Sequence, residues 1–192
     1  MSKTLADWHT DHVNFARLLT LLEGQLSMFH DGGTPDYEMM LDVMYYLTHY
    51  SDMVHHPKED LVFAVIRGRE VAVARRIDEL ISQHVSLKRY GNELLRDLDN
   101  IVSGTIMSRE RVLSTARIYA ANLRGHMQTE ESEILPLAAR LLGEGDWAKI
   151  DEAISQIEDP LFGTHVDERY DALRRQIGRD EQAAHAVKLQ GT

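Results

Sequence analysis

Cysteine is absent from all 192 residues, which excludes disulfides, thiolate nucleophiles, iron–sulfur clusters and cysteine-ligated zinc. Basic residues are scarce: 21 Lys and Arg face 31 Asp and Glu, and the net charge of −10 lacks the footprint that nucleic acid or an anionic membrane surface requires. No apolar run is long enough to span a bilayer, and no signal peptide precedes "MSKTLADWHTDH", so a cytoplasmic location is expected. Any metal must be held by His, Asp or Glu. Ten histidines make such a site worth seeking.

Strand patterns are nearly absent too. Apolar residues recur at spacings of three and four, the helical period. The first stripe runs Leu5, Trp8, His12, Phe15, Leu19, Leu22, Leu26, Phe29 and stops at Gly32-Gly33, after which Thr34 or Asp36 can cap a second helix. The second stripe is Leu41, Met44, Thr48, Ser51, His55, Glu59, Val62, Ile66, with Pro57 inside it, where a kink or an opened hydrogen-bond ladder is expected. The third includes Val73, Ile77, Leu80, His84, Leu87, Gly91, Leu94 and Leu98; the fourth, started by Ser108, includes Val112, Ala116, Tyr119, Leu123, His126, Glu130, Ile134 and Leu137. These four segments predict an all-α, up-down-up-down antiparallel four-helix bundle over 1–143. Residues 144–192 are expected to form two short helices packing on the bundle, with the last dozen residues frayed.

A seam facing a core should be apolar. The strongly polar exceptions here are His12, His55, Glu59, His84, His126 and Glu130. Scattered through a core they would be costly, so they need one another or a metal. Their distances from the helix-joining turns place them within about two turns of one level. They also repeat: His12 to His55 is 43 residues and His84 to His126 is 42, each second histidine followed four residues later by a glutamate. A His and a Glu at i, i+4 share a helix face. Two near-equivalent metal positions follow, between which the two carboxylates could bridge, and imidazole plus carboxylate without sulfur suits iron or manganese at a dinuclear centre, iron being preferred and zinc ranked behind.

The stretch "HHPKED" leaves a choice between His55 and His56. The stripe selects His55 with Glu59, and makes His56 and Asp60 flanking residues that support the ligands from behind or lie at the surface; a kink at Pro57 would rotate the face by one residue and exchange the two histidines. His9, off the stripe, and Tyr119, two turns from His126, are candidates to support the ligands from behind. Glu131 and Glu133 read as a solvated face, and His30, His49, His165 and His185 as surface.

"DHVNFARLL", "HHPKED", "SQHVSLKRYGNELL" and "HMQTEESEILP", spanning about residues 4–142, resemble the hemerythrin-like (HHE cation-binding) family. The resemblance implies a four-helix bundle with a non-haem di-iron centre, liganded by His12, His55, Glu59, His84, His126 and Glu130, the two glutamates bridging. It departs from the oxygen-carrying members at Lys88, where they bear a fifth histidine, and at Glu130, where their acid is an Asp at i+5. Iron-centre repair members usually carry a cysteine-bearing segment that is missing here. The expectation is a protein binding O2, peroxide or NO at an open iron position, in sensing or detoxification, as a monomer or homodimer. No residue is assigned as a separate catalytic group. Alternatives are an iron-responsive regulatory or interaction module whose metal is mainly structural, iron-centre repair, or iron storage.

Overall fold

The computed structural model describes residues 2–154 and 157–190, with side chains as far as 180 and at 182. Helix α1 spans Lys3–His30, capped by Ser2, whose hydroxyl accepts from the Leu5 N–H. It ends through Gly32 at φ 88°, whose N–H donates to Phe29 while Gly33 donates back to Met28. This paired closure needs a left-handed residue, which glycine adopts without a Cβ clash. Asp36, not Thr34, caps α2 (Tyr37–Tyr50) by accepting from Met39 N–H.

Helix α2 runs directly into α3 (His56–Arg69) through a π-turn, Ser51–His55. The His56 N–H donates to Ser51 five residues back, immediately before Pro57. Proline has no N–H and its ring crowds the carbonyl four residues back, so one extra residue in the preceding turn lets the helix continue. The opened ladder expected at Pro57 takes this form. A second π-turn, Glu130–Ile134, joins α5 (Arg109–Thr129) to α6 (Leu135–Leu141), and there Leu135 donates to Glu130 just before Pro136.

Between them α4 (Ala74–Val102) ends at Gly104, φ 89°, by the same paired closure as α1, and Ser108 caps α5. Helix α4 packs on α5 and α2, and α1 on α5 and α2. The short α7 (Glu144–Ala153) lies against α3, and α8 (Asp171–Gln190) against α2. Helix α7 stops before Ile154, and Ile157 beyond it is exposed. Among the described residues there is no strand, and no helix is long and apolar enough to cross a membrane. The fraying expected of the last dozen residues, and His185, fall outside the described side chains.

Two separate apolar clusters form the core. One holds Leu5, Trp8, Val62, Phe63, Ile66, Ile77, Leu80 and Ile134; the other holds Phe15, Leu47, Val54, Leu87, Leu94, Leu123 and Met127, with Leu161, Tyr170, Leu173 and Ile177 from the C-terminal region. Every long segment crosses from one cluster to the other. The residues at the crossings are His12 on α1, His55 and Glu59 at α3, His84 on α4, and His126 and Glu130 on α5 and its π-turn. The polar exceptions therefore form one layer between two apolar halves.

Candidate metal centre

All six residues are buried, and the carboxylates of Glu59 and Glu130 are 0% exposed. Each carboxylate divides its oxygens between two groups of imidazoles. Glu59 Oε1 lies 2.7 Å from His55 Nε2 and 3.4 Å from His12 Nε2, while Oε2 lies 3.2 Å from His84 Nε2 and 3.9 Å from His126 Nε2. Glu130 does the same, with Oε2 3.1 Å from His12 Nε2 and Oε1 3.2 Å from His126 Nε2. Yet none of the four oxygens takes part in a directed hydrogen bond among the described residues. Two buried carboxylates so placed would repel each other and forfeit hydration worth several kcal/mol apiece. A cation between them removes both penalties, and the donor set of imidazole nitrogens and carboxylate oxygens fits one.

What turns the imidazoles inward is a circuit of acceptors on their far side. Asp11 on α1 accepts from His55 Nδ1 at 3.0 Å, and Asp60 on α3 from His84 Nδ1 at 3.1 Å. Gln83 on α4 accepts from His126 Nδ1 at 3.0 Å, and Glu131 in the second π-turn closes the circuit on His12 Nδ1 at 2.8 Å. Each segment thus supports the histidine of the next, and each supporter is the sequence neighbour of a cluster residue. With Nδ1 bound as a donor, the Nε2 lone pair is presented to the layer. Asp60, expected as a flanking or surface residue, takes the supporting place, while Glu131, expected on a solvated face, is drawn to the site, and Asp11 and Gln83 with it. The visible signal was only a polar acceptor beside each ligand. Which histidine it meets depends on the neighbouring helix.

The same contacts set the charges. Burial disfavours a charged His12, but close contacts with the carboxylates of Glu130, Glu131 and Glu59 outweigh it and raise its pKa to about 11. His84 is raised to about 10, burial again being outweighed by Asp60 and Glu59. Burial opposes ionisation of Glu59, yet the His55 charge and the close approach of His12, His126 and His55 hold its carboxyl well below the ordinary range. Glu130 is pushed up by burial and then by the Glu59 charge. The Nε2 atoms of His84 and His126 lie 3.1 Å apart, within hydrogen-bond distance of each other. Protonated His12 faces Glu130; the neutral ring instead accepts the Trp8 indole N–H at Nε2, 3.1 Å away.

His56 also lies in this layer. It groups with Glu59, His84 and His126, their ligand atoms all within 4.8 Å of one another, while His12, His55 and Glu59 form a second such group. Both rings, His55 and His56, thus reach the layer, each in its own group. His9 touches Glu131 at 3.0 Å from a half-exposed position. Tyr119 belongs to the larger apolar cluster, its ring edge against Gly91, and burial with the nearby Asp52 charge raises its pKa. Glu133 pairs with Arg76 at the surface, and His30, His49 and His165 lie away from the cluster. Two clefts reach the layer from solvent: one of about 440 Å³ between α4 and α5, bordered by Gln83 and His126, and one of about 360 Å³ bordered by His12 and Glu131.

The family model described as the hemerythrin HHE cation binding domain matches residues 3–138, well over half of the chain, which therefore belongs to that family. No curated protein matches it.

Proposed function

We propose that the chain, as a hemerythrin HHE cation-binding protein, holds two iron ions in this layer and binds O2, peroxide or NO there, for sensing or detoxification. The observation that carries this reading is the division of the Glu59 and Glu130 oxygens between two groups of histidines, the arrangement a carboxylate needs to bridge two ions. His12 and His55 would hold one ion, and His84 and His126 the other. Imidazole and carboxylate without thiolate favour iron. When bound, the iron pair supplies ligand binding and one- or two-electron redox chemistry. The protein's own part is to keep the layer dry between two apolar clusters, present the Nε2 lone pairs, and leave narrow approaches beside His126 and His12. The alternating direction in which the long segments cross the layer reads as an up-down-up-down antiparallel bundle.

Anaerobic loading with ferrous iron should give about two irons per chain, and a visible spectrum that changes on adding O2 or NO. Less than about one iron per chain, or loading unchanged in His126→Ala and Glu130→Ala, would overturn the reading. Full loading without any response to O2, peroxide or NO would instead favour a structural metal in a regulatory module.

A further inference from the structure

We propose that His56 is a fifth imidazole ligand, joining His84 and His126 at one metal position, so that the centre is unsymmetrical with three histidines on one side and two on the other. The inference rests on the dinuclear reading above and makes a ligand, beside His55, of a residue that the stripe of the second helix leaves as a flanking neighbour or as the alternative to His55.

Four observations support it. His56 is 6% exposed and its Nε2 is buried with no hydrogen-bond partner. A histidine kept in a core for packing alone would satisfy that atom. Its other nitrogen, Nδ1, faces a carboxylate from behind as well, Asp52 Oδ1 one turn back at 3.4 Å, a longer contact than the 2.8–3.1 Å bonds that the other four cluster histidines make across helices. Its ring stacks on His84, centroids 4.2 Å apart and planes 16° from parallel, and stands perpendicular to His126 at 5.8 Å. Its ligand atom also falls within 4.8 Å of those of Glu59, His84 and His126.

Helix geometry explains how two consecutive histidines can serve two ions. Neighbouring residues point about 100° apart and do not share a face. Glu59, however, is i+4 from His55 and i+3 from His56, so it lies between them on the face that both flank. Its Oε1 looks toward His55 and His12, and its Oε2 toward His84 and His126, the two histidines with which His56 groups. His55 ends the π-turn and His56 begins α3, so the widened turn before Pro57 sets the two rings astride that carboxylate. Lys88, on α4 beyond His84, is exposed and reaches out to 3.9 Å from Asp52, the carboxylate that supports His56. It supplies no ligand on that side.

Cobalt(II) serves as the probe, added to the full-length protein under anaerobic conditions and followed by metal content and visible d–d spectrum. Wild type should take up about two ions. His56→Ala should retain the ion held by His12 and His55 and bind the other more weakly, by more than the 10- to 100-fold that loss of an outer partner costs. The spectrum of that second ion should change, and added imidazole should restore it. Asp52→Asn should weaken the same ion by less. His56→Gln provides a variant that keeps a polar group in the buried space, and circular dichroism of the metal-free proteins confirms folding. Two ions bound by folded His56→Ala and His56→Gln with wild-type affinity and spectrum would overturn the assignment while leaving the dinuclear centre standing. Fewer than two ions in wild type itself would instead overturn the dinuclear reading, and this assignment with it.

Discussion

Asp11→Asn tests whether the circuit of acceptors readies the imidazoles for metal. Asp11 is 5% exposed, and its Oδ2 accepts from His55 Nδ1 at 3.0 Å with Lys58 Nζ 3.5 Å away. Asparagine keeps the shape and one acceptor oxygen but removes the charge that makes His55 a stronger donor to metal. Loss of such an outer partner costs about 10–100-fold in affinity, or ~1.4–2.8 kcal/mol. Asp60 makes the equivalent bond to His84 Nδ1 at 3.1 Å, but its side chain is 49% exposed. Water screens its charge, so Asp60→Asn should fall at or below the lower end, about tenfold. Asp11→Asn also leaves the buried Lys58 ammonium without its carboxylate, lowering stability by up to about 3 kcal/mol, so affinity must be measured on protein shown to be folded. Anaerobic competition for cobalt(II) against a coloured chelator reads the affinity, and thermal unfolding of the metal-free forms supplies the control. If folded Asp11→Asn bound both ions as tightly as wild type, or Asp60→Asn were the worse of the two, the circuit would be only packing.

Metal uptake should release protons. With pKa values of about 11 and about 10, His12 and His84 are protonated in the metal-free protein at pH 8, and, against burial, the Glu59 and Asp11 carboxylates raise the pKa of His55 too; a ligating ring must be neutral, so calorimetry in buffers of different ionisation enthalpy should report at least two protons released per chain. Because both values are raised above the ordinary 6.5, the stability these two groups lend the metal-free protein is fully present below about 6.5 and is lost as pH rises through 10–11; denaturant titrations showing the opposite slope would refute the assignment. Gly91→Ala should destabilise by about 1–2 kcal/mol in urea unfolding, because overpacking outweighs the roughly 1 kcal/mol gained in helix propensity. The added Cβ would meet Thr48 Cγ2 at 2.7 Å and Tyr119 Cε2 at 3.0 Å, and Thr48 is held in place by its bond to the Met44 carbonyl. A net stabilisation would show that α4 can move away from α2 and α5.

The helices and their ends were legible in the sequence, because apolar periodicity, Gly32, Gly104, Asp36 and Ser108 act locally. So was the layer. A polar residue interrupting a regular apolar stripe stands out wherever the partner helix lies, and His12, His55, Glu59, His84, His126 and Glu130 all stood out this way. The stripe also holds beyond both π-turns, where Val62, Ile66, Ile134 and Leu137 are buried as expected, but each turn adds one residue and widens the polar face presented to the layer. A stripe drawn at constant 3.6-residue period leaves His56 as a flanking neighbour and turns Glu131 outward; in the structure His56 stacks on His84 and Glu131 meets His12. Asp11, Asp60, Gln83 and Glu131 mark the other boundary. Each sits beside a cluster residue in sequence yet serves a histidine on a different helix. Local sequence determined which side chains must be buried, since that depends on period and polarity along one helix. Only the tertiary packing decided which imidazole each acceptor meets and how each carboxylate's oxygens are shared, because those depend on distances between helices.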